Sequence, residues 1–286
     1  MTEINSMKEL LDSEYIIKDL GPLKYFIGME VARFNKGILL YQRKYALDLL
    51  EDTGMLGSKP CSTPIEYAKK LVSSEIGTPL TDPSPYTRLM GKLLYLTHTR
   101  LDLSFSVRHL NQFLSKPTNV HFEGAKGILR YLKGSIGVGV FMPADSDLKV
   151  KGYNDSDWAG CPHSGKSVSG YCFYLENSLI SWKIKKQQVI ARFSVEAEYR
   201  AMTLAACETQ WLLYLMHDLQ IDHPQPVMLY YDNESAIHIA ANLIFHERTK
   251  HIEVDFHSIR EKVEAGLIYL LSIPTASQVA DILLSL

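Results

Sequence analysis

The sequence predicts an α/β protein in which one five-stranded sheet with helices on its faces follows a β-hairpin and a helical segment. Three observations lead there. Between residues 86 and 134, apolar residues recur at intervals of three and four, the helical period. From about residue 147 the period drops to two, the signature of strands with alternating faces. From that point the elements run strand, strand, strand, helix, strand, helix, helix, strand, helix, an order that suits one sheet with helices against it.

Each element has its own cause. KYFIGMEVARFNKGILLYQR (24–43) holds two apolar runs around Asn35-Lys36-Gly37, a hairpin signal with Gly37 free to take positive φ. KYALDLLEDTGM (44–55) reads as a short helix stopped at Gly54. Residues 57–85 are rich in Ser, Pro, Thr and Gly and read as a long loop. Three helices follow in YTRLMGKLLYLTHTR, LDLSFSVRHLNQFLSK and NVHFEGAKGILRYLKGS, with Pro117 dividing the last two. LKVKGYND, SGYCFYLEN and SLISWKIKKQQVIAR read as consecutive antiparallel strands, the last two joined near Asn177. VEAEYRAMTLAACETQWLLYLMHDL is a long helix, VMLYYDN a fourth strand and ESAIHIAANL a short helix. VDFHSIREKVEAG, IYLLSIPT and SQVADILLSL complete the order as helix, strand and helix.

Bulk properties bound the function. The chain has 286 residues, 46% hydrophobic and 22% charged, as in ordinary globular proteins. A net charge of −2 excludes a global basic field, so any nucleic-acid contact must use local patches. The four cysteines lack CxxC spacing, which favours free thiols in a reducing compartment. No apolar run approaches a membrane span, and the acidic, amphipathic start MTEINSMKELL resembles no signal peptide.

The acids at element ends carry the chemical signal. Asp155 ends the first strand of the second half, and Glu198 opens the long helix. Asp232 ends the fourth strand, and Asp281 lies early in the last helix. Singly, each has a structural reading as a turn former, a cap or a partner of the helix dipole. Jointly they suggest a carboxylate cluster. Such a cluster repels itself unless a cation holds it, and oxygen ligands suit Mg²⁺ or Mn²⁺ over zinc. Two such ions form the clamp used for attack of water on a phosphodiester.

Basic residues supply the second signal. Lys183, Lys185, Lys186 and Arg192 fall within ten residues without an intervening acid. Alternation puts Lys183 and Lys185 on one strand face and Ile184 on the other. Lys126, Arg130 and Lys133 cluster on the predicted helix near 120–134, either facing phosphates or lining a solvated face. His246, His251 and His257 lack metal-ligand spacing for zinc.

The stretches GYNDSDWAGCPHSGKSVSGY, ISWKIKKQ, SVEAEYRAM, YYDNESAIHIAAN, HERTKHIEVDFHSIRE and QVADI, in this order, closely resemble the ribonuclease H domain of copia-type retrotransposon polyproteins. KDLGPLKYFIGMEV, YQRKYALDLLEDTGM, YTRLMGKLLYLTHTRLDLSFSV and HFEGAKGILRYLKG resemble the reverse transcriptase segment just upstream. The resemblance implies a ribonuclease H-like mixed sheet at 146–286, a residual palm segment at 1–60 and a helical thumb or connection segment at 61–145. It further implies that Asp155, Glu198, Asp232 and Asp281 bind two Mg²⁺ (or Mn²⁺) ions, and that water cleaves the RNA strand of an RNA–DNA hybrid. Asp157 and Glu196 are not carried over as ligands. The implied partners are the hybrid and the palm and fingers of the polyprotein, within an intracellular retroelement particle, cytoplasmic or nuclear.

Departures from the family pattern are local. No Tyr-x-Asp-Asp polymerase motif occurs, so no polymerase activity is expected of this chain. Phe193-Ser194 stands where the family has Ser-Ser, Leu101 stands where it favours proline, and ADILLSL replaces a Thr-Lys-Pro-Leu-like run. A catalytically inactive nucleic-acid-binding relic, or a structural fragment of a reverse transcriptase, therefore stands beside the enzyme reading.

Overall fold

The computed structural model describes residues 2–65, 77–161, 164–233 and 253–284. The chain opens with helix α1 (Thr2–Tyr15), whose apolar side chains Ile4, Met7 and Leu10 stay exposed. Strands β1 (Tyr25–Phe26), β2 (Met29–Phe34) and β3 (Gly37–Tyr41) follow as an antiparallel meander. The turn at Asn35-Lys36 lies where the hairpin pattern predicts it. Strand β4 (Gly139–Pro143) returns about a hundred residues later to pair with β3. Sequence patterning does not disclose β4, because GVFMP has too few alternating residues to register as a strand. Its arrival explains Gly37: a Cβ there would lie 2.1 Å from the Met142 carbonyl oxygen.

Helices α2 (Arg43–Asp52), α3 (Ser84–Leu96), α4 (Ser104–Asn111) and α5 (Asn119–Gly134) pack together on a common core. Tyr86, Leu89, Met90, Leu93 and Leu96 form the buried stripe of α3, and Ile128, Leu129 and Leu132 that of α5. Tyr86 OH donates to the Leu110 carbonyl at 2.6 Å, so its buried hydroxyl is satisfied while tying α3 to α4. Helix α5 begins with a capping box in which the Thr118 N–H donates to His121 Nδ1 at 3.1 Å. The His121 ring stacks on Phe113 with centroids 4.0 Å apart.

The second half forms the mixed five-stranded sheet that the resemblance implies. Strands β5 (Val150–Asp157), β6 (Val168–Leu175) and β7 (Ser178–Lys186) are antiparallel neighbours. Helix α6 (Ser194–Asp218) leads to β8 (Val227–Tyr231), parallel to β5. Helix α7 (Glu253–Glu264) leads to β9 (Ile268–Ser272), parallel to β8. The spatial order is β7-β6-β5-β8-β9. The short helix expected in ESAIHIAANL, and His246 and His251, lie outside the described residues.

Each sheet face has its own core. Val150, Tyr171, Phe173 and Leu229 pack with Tyr199 and Met202 of α6 and Ile259 of α7. On the opposite face, Cys172 and Ile184 meet Ala280, Leu283 and Leu284, with Leu101 and Phe105 of the first half against them. The two halves are further joined by Trp182, whose Nε1 donates to the Thr97 carbonyl at 3.0 Å.

The expected terminal helix is corrected. Residues 275–283 form two short 3-10 turns, Thr275–Ser277 and Val279–Leu283, around an extended Gln278. Gln278 Nε2 donates to the Asn154 carbonyl on β5 at 3.1 Å, and its Oε1 accepts the Ala280 N–H at 3.2 Å. This anchoring to the sheet outweighs the weak tendency of so short a segment to nucleate a helix.

Leu129 is fully buried in the helical core. Leu129→Ala is expected to lower stability by about 2–5 kcal/mol, read as a lower midpoint in urea unfolding.

Candidate active site

The register of the sheet assembles the site. Tyr153 of β5 pairs with Tyr230 of the parallel β8. Asp155 and Asp232 each lie two residues further on, so they leave adjacent strands at the same level, about 5 Å apart in the backbone. Helix α6 packs on β5 and brings Glu198, 7% exposed, over the same strand end. The turn held by Gln278 carries Asp281 to hydrogen-bond Asp155. The structure thus brings together all four acids that the sequence singles out.

Electrostatics confirm their proximity. Burial first, then the Asp281 hydrogen bond, push the Asp155 carboxyl up to about 7; the Ser156 N–H bond opposes them, and the charges of Asp232 and Asp281 add a smaller push upward. That N–H lies 2.6 Å from Asp155 Oδ1. Burial first, then the charges of Asp155 and Asp232, raise Glu198 to about 9. Glu198 Oε2 is buried and has no hydrogen-bond partner among the described residues. Among the described residues, no group of three His, Cys, Asp or Glu side chains stands as a ready-made ion cage. By donor chemistry the set nevertheless fits a hard divalent cation: oxygen atoms only, one of them a carboxylate oxygen without a hydrogen-bond partner among the described residues.

The neighbouring acids do other work. Glu196, 3% exposed, accepts the Arg192 N–H at 2.8 Å and pairs with Arg200 at 2.7 Å, which fastens the start of α6. Asp157 ends β5, exposed, and its carbonyl accepts the Gly160 N–H at 3.3 Å in a turn. Sequence reading missed Gln278, which holds the turn bearing Asp281; its place three residues ahead of that acid in QVADI is the signal that was available.

The basic residues fall into two groups. Lys183 and Lys185 are exposed on the edge strand β7, with Ile184 facing the opposite core. Lys186 donates to Gln112 Oε1 at 3.2 Å, and Arg192 is exposed just before α6. On α5, Lys126 pairs with Glu123 at 2.7 Å and Lys133 donates to the Ser58 carbonyl at 2.5 Å; Arg130 is half-buried. Trp158 is 50% exposed and Phe193 68% exposed, whereas Trp182 packs into the core between the halves.

A sheet with this strand order and acids at these strand ends defines a ribonuclease H-like fold attached to reverse transcriptase-derived sequence. Residues 1–67 match the family described as "Reverse transcriptase (RNA-dependent DNA polymerase)". The chain is 40% identical over 282 residues to the "Retrovirus-related Pol polyprotein from transposon RE1" of Arabidopsis thaliana, covering 99% of this chain and 19% of that protein. It is 41% identical over 210 residues to an uncharacterized mitochondrial protein of Arabidopsis thaliana, covering 73% of this chain and 87% of that one. A foamy viral protease-reverse transcriptase, solved with an RNA/DNA hybrid, superposes with TM-score 0.51 at 12% identity, over 87% of this chain and 29% of that one. The chain belongs to the copia-type retrotransposon Pol polyprotein family. It spans about a fifth of the length of the curated Pol polyproteins it matches. No helix among the described residues is long and apolar enough to cross a membrane.

The raised acids set a pH dependence. Their ordinary values are 3.8 and 4.5, so between about pH 4 and 9 the folded protein holds protons that the unfolded chain has lost. The associated stability is full below pH 4 and is lost as pH rises through 7 and 9. In EDTA the thermal midpoint should fall more steeply from pH 5 to 9 in the native protein than in Asp155→Asn. At pH 9 the variant should gain on the order of 1–3 kcal/mol. Mg²⁺ should restore the native protein more than the variant; identical pH profiles would mean that the acids do not repel one another.

Proposed function

We propose that the chain carries the ribonuclease H activity of a copia-type Pol polyprotein and hydrolyses the RNA strand of an RNA–DNA hybrid. One observation carries the reading: Asp155, Glu198, Asp232 and Asp281 come from four separate elements, yet they share one strand end and perturb one another. Such strain is hard to explain for a surface without a cation to relieve it. In this reading all four acids hold two Mg²⁺ or Mn²⁺ ions. When bound, the ions supply an activated water and charge stabilisation for in-line displacement.

The chain's own residues do the rest. Glu198 is buried against β5, and Asp155, two residues before the end of β5, and Asp232, just past the end of β8, present carboxylates from adjacent strands. Asp281 closes the set through the turn that Gln278 fixes. Lys183, Lys185, Lys186 and Arg192 contact the hybrid backbone, and Lys126, Arg130 and Lys133 extend the basic surface on the helical side. Recognition rests on duplex shape and 2′-hydroxyls more than on base edges.

In the same reading, residues 1–60 are a residual palm segment, 61–145 the thumb or connection and 146–286 the nuclease. The palm and fingers of a longer polyprotein cover the exposed apolar residues of α1 and β1, such as Leu10, Tyr25 and Phe26. The absence of a Tyr-x-Asp-Asp motif supports the inference that this chain polymerises nothing by itself. The competing reading is a relic that binds nucleic acid without cutting it.

Incubation with labelled hybrid and Mg²⁺ separates the two. Asp155→Asn and Glu198→Gln should each reduce cleavage by about a hundredfold or more while leaving hybrid binding measurable. Undiminished cleavage in both variants, or binding without cleavage by the native protein, would sink the enzyme reading.

A further inference from the structure

A cleft of about 340 Å³ separates the α3–α4 region of the helical half from the edge strand β7. His98, Ser104 and Arg108 line it from the helices, and Trp182, Lys183 and Ile184 from the strand. Among the described residues no carboxylate lines it. Glu208 lies behind Ser181 and is engaged by two hydroxyls: Ser181 Oγ donates to it at 2.6 Å and Tyr171 OH at 2.7 Å.

Two lining groups are left wanting a ligand. Arg108 is half-buried, and among the described residues no carboxylate or carbonyl pairs with it. Burial has begun to disfavour its charged form. A desolvated guanidinium without an anion is costly, so its persistence asks for a counter-charge. Ser104, 7% exposed, has a buried hydroxyl with no hydrogen-bond partner among the described residues. Lys183, exposed on β7, adds a second cation that forms no ion pair among the described residues. A larger hollow of about 470 Å³ near α2, α3 and α5 makes the contrast. There Lys92 is paired with Asp52 at 2.5 Å and Lys126 with Glu123 at 2.7 Å, so those two cations are already neutralised.

We propose that this cleft takes a backbone phosphate of a bound nucleic acid, clasped between Arg108 of the helical half and Lys183 of the nuclease sheet. A guanidinium on the helical wall and an ammonium at the exposed edge of β7 suit a phosphodiester lying across the mouth of the cleft, and the Ser104 hydroxyl supplies a further donor. Its place relative to the acids is consistent. Ile184, next to Lys183, pairs with Gly170, which pairs with Asp155. Two strand spacings put β7 about 10 Å from the acids, within the width of one duplex. A phosphate held there would also bridge the two halves and fix their relative angle around the substrate. The inference rests on the hybrid as ligand but not on its hydrolysis.

The test is equilibrium binding of fluorescent RNA–DNA hybrid in EDTA across a salt series. Arg108→Gln and Lys183→Gln should each weaken binding several-fold and reduce the log-affinity versus log-salt slope by about 0.7–0.9. Lys36→Gln, on the exposed hairpin turn, controls for net charge and should leave the slope unchanged. Because Arg108 is partly buried, its variant is checked for an unaltered thermal midpoint, and the exposed Lys183 carries the test if it fails. Slopes and affinities equal to the native protein in Lys183→Gln overturn the proposal. So does inorganic phosphate that stabilises the native protein, and not Arg108→Gln, while hybrid affinity stays the same in both, since the ligand is then a free anion. A changed slope in protein that never cleaves hybrid with Mg²⁺ supports this site while refuting the nuclease reading.

Discussion

The parallel pairing of β5 with β8 is the constraint on which the rest of the second half depends. It brings Asp155, near the end of β5, level with Asp232, just past the end of β8. An antiparallel pairing would send the two acids to opposite ends of the sheet. The parallel arrangement requires a long crossover, and α6 supplies it, bringing Glu198 with it. Three of the four acids are therefore set by one topological choice. The fourth comes from a separate device, the extended Gln278 that ties the C-terminal turn to the Asn154 carbonyl.

That arrangement stores electrostatic tension. Carboxyl groups pushed toward 7 and 9 are poor structural elements, because neutral pH sets burial against ionisation. The contrast with Glu196, two residues from Glu198, is informative. Glu196 is equally buried but satisfied by Arg200 and the Arg192 N–H, so it stabilises the helix start. Glu198 keeps an oxygen without a hydrogen-bond partner among the described residues. Two glutamates on one helical turn thus divide between holding the fold and serving a site. A similar division separates Lys92 and Lys126, paired on the helical surface, from Arg108, whose charge meets no carboxylate among the described residues.

The junction between the halves is apolar as well as polar. Leu101 and Phe105 meet Leu283 and Leu284 across the face of the sheet, and the Trp182 indole reaches back to Thr97. Packing of this kind holds the basic edge strand β7 against the helices, so that cations from both halves border one cleft.

Much of this was legible in the sequence, and the reasons are physical. Periods of three to four and of two follow from helix and strand geometry, so the main helices and strands could be read locally. Gly37 and Gly54 marked turns because only glycine takes those conformations at low cost. The four acids stood out through their positions at element ends. What sequence could not determine depended on contacts between distant residues. Strand β4 exists because it meets β3, not because of its own pattern. The final segment has helical periodicity, but its tie to Asn154 draws it into 3-10 turns. The sequence by itself determined which groups carry the chemistry, since residue type and local period are written in it. Only the tertiary structure decided which of them meet, because burial, register and the pairing of Glu196 against the isolation of Glu198 arise when remote elements pack.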